Sequence, residues 1–144
     1  MEIKKRVLIV DDEKAIRDSV GELIKEEGYS VVTAPNFELA MAQSKYVDCI
    51  ILDLQLSPKF EMDGGTFLKH VWKDIWCDVP IIVYSGFLGI MGIDEDLKQI
   101  ERLCGKGRNI YRCISKSSGV KLLIEAVNEC LKKNSGGAVM DAGK

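Results

Sequence analysis

Three runs in this chain are almost continuously apolar: VLIV at Val7–Val10, CIILDL at Cys49–Leu54 and VPIIVYS at Val79–Ser85. A strand with one wet face alternates apolar and polar residues, whereas a strand that is apolar throughout is buried on both faces. Segments with helical periodicity lie between these runs. Lys14 to Glu27 carries Ile16, Val20, Leu23 and Ile24 on one face, and Gly28 stops it. Ser30–Ala34 reads as a short strand, and Pro35 and Asn36 start a helix through Phe37, Leu39, Ala40 and Met41 to about Lys45. After Asp63-Gly64-Gly65 a helix carries Phe67, Leu68, Val71, Trp72 and Ile75, and Asp94 to Cys104 shows Leu97, Ile100 and Leu103 on one side. Asn109–Ser115 reads as a fifth strand. Ser118 or Gly119 opens a last helix with Val120, Leu123, Ile124, Val127 and Leu131. Strands alternating with helices imply a doubly wound α/β architecture, a parallel sheet with helices on both faces and right-handed crossovers.

The 144 residues suit one domain, read as 1–133, and the small, polar NSGGAVMDAGK that follows reads as a disordered tail over 134–144. A net charge of −2 gives no electrostatic footprint for nucleic acid, and no apolar run is long enough to cross a membrane. The first apolar run ends in acids, so it is not the core of a signal peptide. Five cysteines, Cys49, Cys77, Cys104, Cys113 and Cys130, include no CxxC pair. They read as reduced core residues of a cytoplasmic protein.

Ligands of open parallel sheets bind at the carboxyl ends of the strands. The residues expected there are Asp11, Asp12 and Glu13 after the first strand, Asp53 on the third, Ser85 on the fourth, and Ser115 and Lys116 on the fifth. Singly, each has a plain reading as a turn former, a helix cap or a solvated charge. Asp53 is harder to set aside, because an unpaired carboxylate at the edge of IILDL costs stability. Clustered carboxylates call for a cation, and oxygen ligands suit Mg²⁺. An Asp beside such a metal is a nucleophile toward phosphorus, and a Lys and a Ser nearby can contact phosphoryl oxygens. Glu13 reads as a first-turn residue favoured by the helix dipole, not as a ligand.

The acidic pair in VDDE, the Asp in IILDL, the Ser after VPIIVY and the Lys after the fifth strand resemble, in that order, the receiver domain of two-component response regulators. The resemblance spans about Lys4 to Lys132. It implies a flavodoxin-like five-stranded sheet of order 2-1-3-4-5, with VLIV expected as the central strand. It implies that Asp53 is the phosphoacceptor and that Mg²⁺ is held by Asp12 directly, Asp11 through water, Asp53 and the backbone carbonyl of Gln55. Ser85 takes the place of the switch hydroxyl, and Lys116 of the lysine that pairs first with Asp53 and then with its phosphate. The implied donor is a phosphohistidine on a sensor histidine kinase or a phosphotransfer protein. Such a domain catalyses its own phosphorylation and dephosphorylation and is otherwise not an enzyme. It acts in the cytoplasm by switching partner binding, with no direct nucleic-acid contact of its own and with homodimerisation through its fourth and fifth helices as a further implication. The sequence after the last helix reads as too short for an output module, which suits a stand-alone regulator or a receiver from a longer protein.

The chain departs from the family pattern in places. The interval from Asp53 to Gly64 is long, with an insertion around Pro58 to Met62, and so is that from Ser85 to Lys116. The lysine is followed by Ser117 where the family has proline. Cys113 stands where the family has a switch aromatic, and Tyr111 nearby does not take that role. Two other readings are weighed against phosphorylation-dependent switching. A haloacid-dehalogenase-type phosphatase needs a second acid two residues after its nucleophile, where this chain has Gln55. A degenerate receiver would bind partners without phosphorylation, and the full set of Asp11, Asp12, Asp53, Ser85 and Lys116 argues against it. There is no phosphate-binding GxxxxGK[ST] motif. The lone His70 reads as a helix residue, and Trp72 and Trp76 as packing for the third helix.

Overall fold

The three continuously apolar runs become the inner strands of one sheet. A computed structural model of the chain describes residues 4–43, 46–53, 79–86 and 110–143. Its strands are β1 (Arg6–Val10), β2 (Ser30–Ala34), β3 (Cys49–Leu52), β4 (Ile81–Ser85) and β5 (Ile110–Ser115). They pair in parallel in the order β2-β1-β3-β4-β5. The expected order is therefore found, with one correction. The central strand is β3 and not VLIV, because β1 has only the edge strand β2 beyond it on one side, whereas β3 has two strands on each side. Burial alone could not separate the two, since both are apolar at every inner position.

Both faces of the sheet are covered. Val7, Ile9, Ile51 and Ile82 share a cluster with Val20 and Ile24 of α1 (Lys14–Glu26) and with Leu123 and Val127 of α3 (Val120–Gly143). Leu8, Val10, Ile50, Leu52, Ile81 and Val83, which alternation directs to the opposite face, are equally buried. The chain leaves α1 through Gly28, whose φ of 101° is open to glycine and strained for other residues. This end is tied to α3 by Tyr29, whose hydroxyl donates to Asn128 Oδ1 at 2.7 Å, while Asn128 Nδ2 donates to Glu27 Oε1 at 2.8 Å. The second helix, α2 (Phe37–Ala42), starts from Asn36, whose Oδ1 accepts from the Leu39 N–H at 2.9 Å.

A 3-10 turn at Lys116–Ser118 delays the last helix to Val120, just after the expected start. Ser115 Oγ accepts from the Ser117 N–H in that turn at 3.2 Å, a capping bond that a proline at position 117 could not donate. The last helix then runs to Gly143, across most of the segment 134–144 expected as a disordered tail. Once its first turns are packed, a helix elongates at one hydrogen bond per added residue, and polar composition alone does not stop it.

β5 is not regular. Ile81 pairs with Ile110 but Ile82 pairs with Arg112, so Tyr111 is the extra residue of a bulge. Unbroken alternation would put Tyr111 and Cys113 on one face. The bulge instead turns Tyr111 onto the α3 side, where its hydroxyl donates to Glu129 Oε1 at 3.2 Å beside the 2.6 Å Arg112–Glu129 ion pair. Ile114 packs in the α1–α3 cluster, so its neighbour Cys113 is directed to the opposite face.

Cys49 and Cys130 are buried among the apolar residues of the core, as expected of core thiols, and Cys113 is half-buried. Several expectations lie outside the described residues: Gln55, the loop around Pro58 to Met62, the helices placed after Gly65 and at Asp94, Cys77, Cys104, His70, Trp72 and Trp76.

Candidate functional site

The sheet order reverses between β1 and β3, and the carboxyl ends of those two strands deliver Asp11 and Asp53. Backbone pairing continues one residue past each strand and fixes both acids. The Asp11 N–H donates to Ala34 O at 3.1 Å, and the Asp53 N–H donates to Val10 O at 3.0 Å. Both side chains are nearly buried, although neither residue belongs to the apolar core. Asp12 is exposed. One oxygen from each of Asp11, Asp12 and Asp53 lies within 4.8 Å of the others, close enough to share one cation.

Ser85 ends β4, fully buried, and its Oγ donates to Asp53 Oδ1 at 2.9 Å. Lys116, just past β5, reaches into the same place. Its Nζ donates to Asp11 Oδ2 at 2.9 Å, to Glu13 Oε1 at 3.2 Å and to Asp53 Oδ2 at 3.3 Å. Five of the residues singled out from the sequence, Asp11, Asp12, Asp53, Ser85 and Lys116, therefore meet at one edge.

Burial pushes the Asp11 carboxyl above the usual aspartate range, against bonds from Lys116 and the Glu13 N–H, and the charge of Asp53 adds to the rise. Asp12, although exposed, is also raised, first by partial desolvation on its cluster side and then by the negative charges of Asp11 and Glu13 on either side of it. Burial works against the Lys116 ammonium, but its hydrogen bond to Asp11 and the charges of Asp53 and Asp11 outweigh burial and hold it above the ordinary lysine range. Asp11 and Lys116 thus move the same way although they are partners, because Asp11 also bears burial and a second carboxylate.

Two contacts are new relative to the sequence reading. Glu13 is the N-cap residue of α1 and not a first-turn residue, and its carboxylate bonds Lys116. Arg17, one turn into α1, donates from a guanidinium nitrogen to the backbone carbonyl of Asp11 at 2.9 Å and so braces the acidic loop. The charge of Glu13 was visible in VDDE, but its partner is 103 positions away. Nothing in the sequence singles out Arg17 from the other basic residues of its helix.

A doubly wound sheet with an acid cluster, a hydroxyl and an ammonium at its switch point defines a flavodoxin-like domain built around an acidic site. The chain belongs to the response regulator receiver domain family, whose sequence profile matches residues 7–128. Over 87 residues it is 40% identical to a probable transcriptional regulator, ycf27, of Guillardia theta, a match covering 59% of this chain and 32% of that protein. The chain therefore spans about a third of that relative's length. Among solved structures, the chemotaxis protein CheY4 of Vibrio cholerae superposes with a TM-score of 0.71 at 25% identity, covering 90% of this chain and 100% of that one. The response regulator TrrA of Thermotoga maritima, in complex with Mg²⁺ and beryllofluoride, superposes with a TM-score of 0.68 at 27% identity, covering 88% of this chain and 99% of that one.

Proposed function

We propose that this chain is a phosphoacceptor switch in which Asp53 receives a phosphoryl group, with Mg²⁺ held beside it. The observation that carries the reading is the meeting of Ser85 Oγ and Lys116 Nζ on the two oxygens of Asp53, next to Asp11 and Asp12. The donor set fits Mg²⁺, since it consists of hard carboxylate oxygens within reach of one ion. Asp12 and Asp53 would hold the metal, with Asp11 through water and the Gln55 carbonyl completing the protein's share. The bound ion offsets negative charge on the transferring group.

The chain's own residues do the rest. A carboxylate oxygen of Asp53 attacks phosphorus, the bond from phosphorus to the donor's imidazole nitrogen breaks with its electron pair left on that nitrogen, and the donor imidazole takes up a proton from solvent and leaves neutral. Lys116 offers its ammonium to the phosphoryl oxygens, and Ser85 offers its hydroxyl. The aspartyl-phosphate adds charge and acceptor oxygens that draw Ser85 and Lys116 toward it, which changes the surface a partner reads. A sensor histidine kinase or phosphotransfer protein is the proposed donor. The receiver unit is read as 1–133, cytoplasmic, without direct nucleic-acid contact and capable of homodimerisation. It catalyses only its own phosphorylation and dephosphorylation.

The test is labelling by a small phosphodonor with Mg²⁺. Wild type is expected to incorporate phosphate and Asp53→Asn to incorporate none; undiminished labelling of Asp53→Asn removes the assignment.

A further inference from the structure

Glu13 occupies a position it does not use in the ordinary way. N-cap residues accept a hydrogen bond from their own helix, and Ser, Thr, Asp and Asn do this best. Glu13 has extended backbone angles, φ −90° and ψ 115°, and makes no side-chain capping bond. Its carboxylate reaches to Lys116 instead.

The ammonium has three donors, and three carboxylates accept from it. Two of these, Asp11 and Asp53, belong to the cluster that can share a cation, and Glu13 does not. A divalent cation entering the cluster competes with Lys116 for Asp11 and Asp53. The Lys116 side chain is only 17% exposed, so a displaced ammonium is poorly compensated by water, whereas Glu13, 61% exposed at the rim, stays available to it. We propose that Glu13 is a positioning residue for Lys116: it holds the ammonium as Mg²⁺ and its bound water draw on Asp53 and Asp11, which eases metal entry and keeps Nζ within reach of Asp53. This rests on the Mg²⁺ reading of the site.

The experiment is calorimetric titration of Mg²⁺ into the full chain. Glu13→Gln is expected to weaken binding about two- to fivefold, the scale of a partly exposed ion pair. Glu13→Asp keeps the charge but withdraws it by one methylene, and is expected to match Glu13→Gln. In a Lys116→Met background the Glu13→Gln effect is expected to disappear, as a double-mutant cycle requires of a contact. Wild-type affinity in Glu13→Gln overturns the proposal. So does wild-type affinity in Glu13→Asp, or an equal loss with and without Lys116, because either marks a field effect. If Lys116→Met does not fold, the Glu13→Gln and Glu13→Asp pair decides alone. A wild-type protein that binds no Mg²⁺ overturns the functional reading together with this one; normal wild-type binding with an unchanged Glu13→Gln removes only the role of Glu13.

Discussion

Asp11 has both of its carboxylate oxygens engaged, Oδ1 by the Glu13 N–H at 2.9 Å and Oδ2 by Lys116, and Arg17 braces its carbonyl. Asp12 keeps the more open face, which suits it to meet a metal directly. Both have raised pKa values, Asp11 through burial and Asp12 through partial desolvation and the negative charges beside it. If Mg²⁺ binds here as proposed, protons compete with it at a higher pH than they would at ordinary aspartates of pKa about 3.9. Mg²⁺ affinity is expected to be full well above the raised values and to fall as pH drops through them, as calorimetry across a pH series would read. For stability measured without added metal the sign is opposite. A carboxyl whose folded pKa is raised favours folding when protonated, so its contribution is present at low pH and lost as pH rises through the raised value. Ser85→Ala removes a buried donor from Asp53 and is expected to cost about 1–3 kcal/mol in urea unfolding. The acids, the serine and the lysine were legible because a strand pattern tells where each run ends. The bonds of Glu13 and Arg17 were not, because they depend on side-chain reach across elements that only the fold brings together.

The last helix shows where pattern reading succeeds and where it stops. Leu123, Val127 and Leu131 are buried at helical spacing as the sequence pattern had them, Val120 and Ile124 pack partly buried beside them, and Ala126 and Cys130 complete the buried stripe. Leu123→Ala is expected to cost about 2–5 kcal/mol in urea unfolding, as for other fully buried leucines. Removal of residues 134–144 is expected to leave the unfolding midpoint nearly unchanged, which would support a domain boundary at 133. The bulge at Tyr111 was not legible, because an extra residue in one strand is invisible until its partner's register is known. It matters because it gives Glu129 two partners from one strand, Tyr111 and Arg112.

For the whole molecule, the order of the strands followed from the family resemblance, and that order by itself puts the third strand, not the first, in the middle. A ligand that binds only the folded state stabilises it by mass action, by about 2.7 kcal/mol at a hundred times its dissociation constant. Mg²⁺ with beryllofluoride is accordingly expected to raise the melting temperature of wild type. Asp53→Asn should lose the beryllofluoride increment, and a persisting increment would place the ligand elsewhere. The bond from Lys116 to Glu13 joins residues 103 positions apart, and the one to Asp53 joins residues 63 apart. The positive group of the site is therefore the last of its members to be synthesised. A ribosome-bound chain that has not yet released its fifth strand carries the acids without their lysine, so readiness to receive a signal doubles as proof that the sheet has been finished.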